Sequence, residues 1–125
     1  MYGALLIQRE PAIRHGVVMA AVGDFGDWFV LGRRLPPADS VRYRQRMSVV
    51  APTRYLRCAR NVDVLFQFAE TDRFVTREQA AGLVASAPAA KSALWYAGGH
   101  ELQDASRKDR LEWLIARIGA PTGRP

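Results

Sequence analysis

Three short apolar runs, each set off by glycine or polar residues and separated by stretches of helical periodicity, limit what this chain can fold into more than any other feature. They are "GVVMAAVG" at Gly16 to Gly23, "VDVLFQFA" at Val62 to Ala69 and "SALWYA" at Ser92 to Ala97. The first is continuous and partly β-branched, the pattern of a strand buried on both faces, which favours a parallel sheet. Strands alternating with helices imply right-handed crossovers and a layer of helices on each face of the sheet. The expected fold class is therefore α/β, a three-layer arrangement around a parallel sheet.

The segments between the runs carry helix signals. "YGALLIQRE" has helical spacing and ends before Pro11, because the residue ahead of a proline is pushed out of the helical region. "ADSVRYRQRM" and "PTRYLRCA" have helical character within an aromatic and arginine-rich stretch, Asp24 to Arg60, that is broken by Pro36, Pro37 and Pro52 and shows no strand. Thr76 with Gln79 three residues on is a capping-box signature, and Ala80, Leu83, Val84 and Ala87 form the apolar stripe of the helix that follows, closed by Pro88. Asp104 is placed to cap a last helix with the stripe Ala105, Leu111, Leu114, Ile115 and Ile118, ended by Gly119.

Composition narrows the function classes. A chain of 125 residues at 49% hydrophobic supports one domain with a modest core. Its apolar runs fall short of the roughly 18 to 20 residues needed to cross a bilayer, and no basic leader precedes a long apolar stretch, so a cytoplasmic protein is expected. The single cysteine, Cys58, has no internal disulfide partner and reads as a buried, inert thiol; with His15 and His100 alone it makes no zinc-ligand set. No metal and no organic cofactor is expected. The formal charge of +6 raises the question of an anionic partner. The excess is spread out, however, with Arg33, Arg34, Arg42, Arg44, Arg46, Arg54, Arg57 and Arg60 ahead of the central strand and mixed signs in "SRKDRLEW", so nucleic acid is not the expected ligand.

In open parallel sheets, ligands bind beyond the C-terminal ends of the strands. Asp24, Asp72 and His100 each follow one of the three apolar runs, which places all three at that edge. An imidazole that moves protons needs a partner to fix its tautomer and to stabilise its charged form, and a carboxylate bonded to one ring nitrogen does both. Asp72 and His100 are 28 positions apart, room for one strand-to-strand crossover, and Gly98 and Gly99 allow the sharp loop that turns His100 back over the sheet. The competing reading is that Asp72 caps a turn and His100 is a surface loop residue. Asp109 and Glu112 read as ordinary surface charges of the last helix.

Residues Pro52 to Ile118 resemble the C-terminal half of an α/β-hydrolase of the dienelactone hydrolase and esterase type. The likeness is carried by "VLFQFAETDRFV", "APAAKSALWYAGGHEL" and "ASRKDRLEWL", in that order. It implies Asp72 as triad acid and His100 as triad base, with Asp24 as a backup acid because some members carry the acid after the earlier strand. It further implies a small-molecule ester-type substrate and places Trp28 and Phe29 where the family has cap or pocket elements. On this reading residues 1–23 are the helix and strand after the nucleophile elbow, 24–60 a cap-like segment, 61–119 the acid- and histidine-bearing unit, and 120–125 a tail.

The family's nucleophile sits in a G-x-S-x-G-like elbow between a strand and a helix, and no such motif occurs in these 125 residues. "YGALLIQREPAIRHGVVMAAVG" resembles the helix and strand that follow the elbow, which would put the nucleophile about four positions upstream of Met1. The expectation is a truncated or inactive form in which Met1 is an internal methionine of a longer frame. An open sheet edge would then favour self-association or a complementing N-terminal half. The alternative is a non-catalytic interaction module that holds an anionic partner on its basic face.

Overall fold

The structure is a computed structural model that describes residues 2–26, 35–88 and 90–119. In chain order the elements are α1 (Tyr2–Arg9), β1 (His15–Met19), α2 (Pro37–Met47), a 3-10 turn (Ser48–Val50), α3 (Pro52–Leu56), β2 (Asp63–Ala69), α4 (Arg77–Ser86), β3 (Lys91–Tyr96) and α5 (Asp104–Ile118). The strands form one parallel sheet in the order β1-β2-β3, with Val17 opposite Leu65 and Phe66 opposite Ala93. No described helix is long and apolar enough to cross a membrane.

Because side chains alternate along a strand, β2 presents two different faces. Val64, Phe66 and Phe68 point into the main core, where they meet Ala4 and Ile7 of α1, Leu56 of α3, and Ala80 and Leu83 of α4. The α4 stripe therefore packs as its spacing requires, and its capping box is formed in both directions, with the Gln79 amide donating to the Thr76 hydroxyl and the Thr76 amide to the Gln79 side chain. The opposite face of β2 carries Asp63, Leu65 and Gln67 and is covered by α5, which completes the three layers.

That second face overturns one expectation. The residues of α5 turned to the sheet are Ser106, Arg110, Trp113 and Arg117, whereas Leu111, Ile115 and Ile118 are 57%, 37% and 68% exposed. The sheet decides this. Gln67 is fully buried at its centre and donates to the Ser106 carbonyl and the Tyr96 hydroxyl while accepting from Arg110, and Asp63 pairs with Arg117. A buried amide left unpaired is costly, so the helix turns its polar side inward. Asp109 belongs to this network through the Tyr96 hydroxyl at 3.0 Å and is not an ordinary surface charge, while Glu112 is one, in an exposed pair with Lys108.

Three smaller expectations are also corrected. β1 ends at Met19, since Ala20 enters the left-handed region (φ 42°), and its residues are half-buried or exposed because, among the described residues, a strand flanks it on one side only. Asp104 is the first residue of α5 and not its cap; Gln103 holds the cap position without a side-chain bond. Cys58 is exposed.

Both helical layers leave apolar side chains exposed. On α5 the stripe Leu111, Ile115 and Ile118 is left at the surface. On the other face Gln8 of α1 sits beside Arg54 and Tyr55 of α3. Leu6, two residues before Gln8, is 53% exposed.

Candidate active site

The chain leaves β2 into the loop bearing Asp72 and leaves β3 into the loop bearing His100, and the parallel register brings the two loops together. Pairing continues past the strand ends, with the Glu70 amide donating to the Tyr96 carbonyl at 2.9 Å and the Thr71 amide to the Gly98 carbonyl at 3.2 Å. Gly98 holds φ 112°, a conformation that L side chains rarely adopt. The turn it makes folds His100 back over the sheet edge.

Asp72 is anchored before it meets the imidazole. Its Oδ1 accepts from the backbone amides of Phe74 at 2.8 Å and Val75 at 3.2 Å. These bonds close a tight turn and lead the chain toward α4. Its Oδ2 lies 2.8 Å from Nδ1 of His100. The carboxylate is 2% exposed and the imidazole 40% exposed. Burial pushes the Asp72 carboxyl up, but the Phe74 amide, His100 and the Val75 amide together outweigh it and hold the group below the usual carboxylate range. An ionised carboxylate can only accept, so this contact calls for the proton on Nδ1, and in the neutral form of the ring that makes Nε2 the proton acceptor. Phe74 packs edge-on to the imidazole at 5.1 Å between centroids and helps to fix its plane.

His100 lines a pocket of about 160 Å³ with Ala20, Ala21, Val22, Phe25, Pro52 and Val75. All of its lining residues except the histidine are apolar, so it suits an uncharged group. Two of the three described non-glycine residues with positive φ border this region, Ala20 in the pocket wall and Leu102 two residues after His100. Each is a strain of about 1 to 3 kcal/mol that the surrounding packing must hold.

Of the two carboxylates considered for His100, Asp72 is the one bonded to it. Asp24 accepts from the Gly26 amide at 2.7 Å and borders a different depression with Thr53, Arg57 and Gln79. Trp28 and Phe29 lie outside the described residues. Phe25, Pro52, Phe74 and Val75 form the surroundings of the site without having stood out in sequence as site residues. The corner after β2 carries a signal for the last two only in hindsight, since an aspartate followed by two amides in a turn becomes visible once its carboxylate has a partner. Among the described residues no group of three or more His, Cys, Asp or Glu side chains is placed to hold a metal ion, and no serine, threonine or cysteine is hydrogen-bonded to His100.

The parallel sheet with helices on both faces is that of part of an α/β-hydrolase fold, as solved structures show. The esterase domain of a Rhodothermus marinus protein superposes with a TM-score of 0.67 over 92% of this chain, at 18% identity. A candidate non-heme bromoperoxidase from Mycobacterium tuberculosis gives 0.60 over 92% at 14% identity, and a hydrolase from Pseudomonas aeruginosa 0.59 over 94% at 14% identity. The chain spans only 55%, 62% and 60% of those three proteins. No protein-family model and no curated protein matches the sequence.

Proposed function

We propose that Asp72 and His100 are the acid and base of a hydrolase that cleaves an ester or related acyl bond in a small molecule. The observation that carries this reading is the 2.8 Å contact between His100 Nδ1 and a buried, amide-anchored Asp72, with His100 lining an otherwise apolar pocket. In the reaction His100 Nε2 takes the proton of the attacking nucleophile and returns it to the leaving group, while Asp72 holds the tautomer and stabilises the imidazolium.

The nucleophile and the amides that stabilise the oxyanion come, in this proposal, from outside these 125 residues, carried either by a longer chain or by a complementing polypeptide. The edge of β1, paired on one side only among the described residues, supports such a neighbour, as do the exposed Leu6, Leu111, Ile115 and Ile118. It borders the pocket through Ala20 and Ala21, so a strand added there would end beside His100.

The test uses the protein as its native host makes it. Its intact mass shows whether the chain is 13.9 kDa or longer, and turnover of p-nitrophenyl acetate is then compared with that of the His100→Ala variant. Loss of turnover with an unchanged far-UV spectrum is expected. Equal turnover would remove His100 from the mechanism.

A second reading is favoured by α2, which buries none of its residues and exposes Arg42 and Arg46. A basic helix of this kind suits a non-catalytic module that holds an anionic partner. Its mark would be binding that weakens with salt and ignores changes at His100.

A further inference from the structure

We infer that Thr71 is a positioning residue that keeps His100 in register with Asp72; the inference rests on the reading of those two residues as an acid and base pair. The two partners differ in how firmly each is held. Asp72 is fixed within its own turn by the Phe74 and Val75 amides, so its place does not depend on the histidine. His100 sits on a loop that carries two glycines just before it, Gly98 at φ 112° and Gly99, and runs on through Leu102 at φ 48°. Glycine adds backbone freedom, so the histidine side of the pair is the softer one.

Apart from the carboxylate–imidazole contact itself, the hydrogen bonds that join the two loops among the described residues converge on a single atom. The Gly98 carbonyl accepts from the Thr71 amide at 3.2 Å and from the Thr71 hydroxyl at 2.8 Å. Thr71 immediately precedes the acid, and Gly98 lies two residues before the histidine. The side-chain bond is the shorter of the two, and the β-branched threonine restricts its own χ1, so the hydroxyl is delivered with little rotamer freedom to lose. One oxygen thereby ties the stiff loop to the flexible one next to the pair, where a displacement of about 1 Å costs on the order of 100-fold in rate.

The experiment follows the His100 Nδ1 proton by NMR in the intact protein, with nitrogen shifts assigning the tautomer. Wild type is expected to show a slowly exchanging Nδ1 proton. Thr71→Val keeps the branch and the backbone bond but removes the hydroxyl, and is expected to exchange that proton about 5-fold faster, the population factor of one net hydrogen bond. Thr71→Ser restores the hydroxyl and is expected to bring exchange back near the wild-type rate. Thr71 is exposed, so these changes create no cavity in the core; should Thr71→Val nonetheless unfold the chain, Thr71→Ala gives the same readout. If wild type shows no Nδ1 proton, the pairing of Asp72 with His100 fails, and the role of Thr71 with it. If wild type shows it and neither hydroxyl-less variant changes its exchange, the pair stands and the role of Thr71 is overturned.

Discussion

Replacing Asp72 by Asn separates charge from shape at the centre of the site. The asparagine carbonyl can still accept from the Phe74 and Val75 amides, now at 2.8 and 3.2 Å from an aspartate oxygen, so the turn is retained. Three bonds nevertheless change character. Hydrogen bonds to a charged group contribute about 1.5 to 3 kcal/mol and neutral ones about 0.5 to 1.5. The side-chain NH2 now points at Nδ1 of His100, which must give up its proton and accept instead. With partial compensation at the two amides, the expected loss at pH 7 is about 2 kcal/mol. The carboxyl of Asp72 titrates lower in the folded protein than its ordinary value of 3.8, so its contribution is fully present above that value and disappears as pH falls through the folded pKa. Urea unfolding of both proteins from pH 7 down to the lowest pH at which they stay folded should therefore show a stability gap at pH 7 that shrinks below about pH 4. A gap that does not change with pH, or no gap at pH 7, would refute the idea that an ionised, anchored carboxylate holds this site. In a complete enzyme the same substitution should also lower kcat by about 10⁴-fold through the wrong tautomer.

Leu83→Ala removes a fully buried side chain of α4 from the core against β2. It should destabilise the protein by about 2 to 5 kcal/mol, read from the urea midpoint at unchanged slope. A loss under about 1 kcal/mol would mean that the packing of α4 on the sheet is wrong. Leu111→Lys combined with Ile115→Lys places two charges on the outward stripe of α5 at residues that are 57% and 37% exposed, so the fold should tolerate them. Sedimentation of the 125-residue chain should show association that these changes abolish; association unaffected by them would exclude the outward stripe of α5 as the contact.

Much of the architecture was legible because it depends on local rules. Short apolar runs between helical stretches can bury both kinds of element only in layers, and the capping box at Thr76 and Gln79 fixes a helix start from four residues alone. The parallel order of the strands followed, and with it the placement of Asp72 and His100 at one sheet edge. What sequence could not decide was everything that depends on which groups meet. By spacing alone Asp24 and Asp72 are equivalent, and only the resemblance ranks Asp72 first; the tertiary structure gives Asp72 two backbone amides and an imidazole, and Asp24 a local turn at Gly26. The orientation of α5 was misread for the same reason. Its apolar stripe is real, but the buried amide of Gln67 and the carboxylate of Asp63 must be paired, and satisfying them turns Ser106, Arg110 and Arg117 inward and leaves Leu111, Ile115 and Ile118 facing out. Periodicity shows that a helix has an apolar side, while the polar groups on the surface beneath it determine which side it buries.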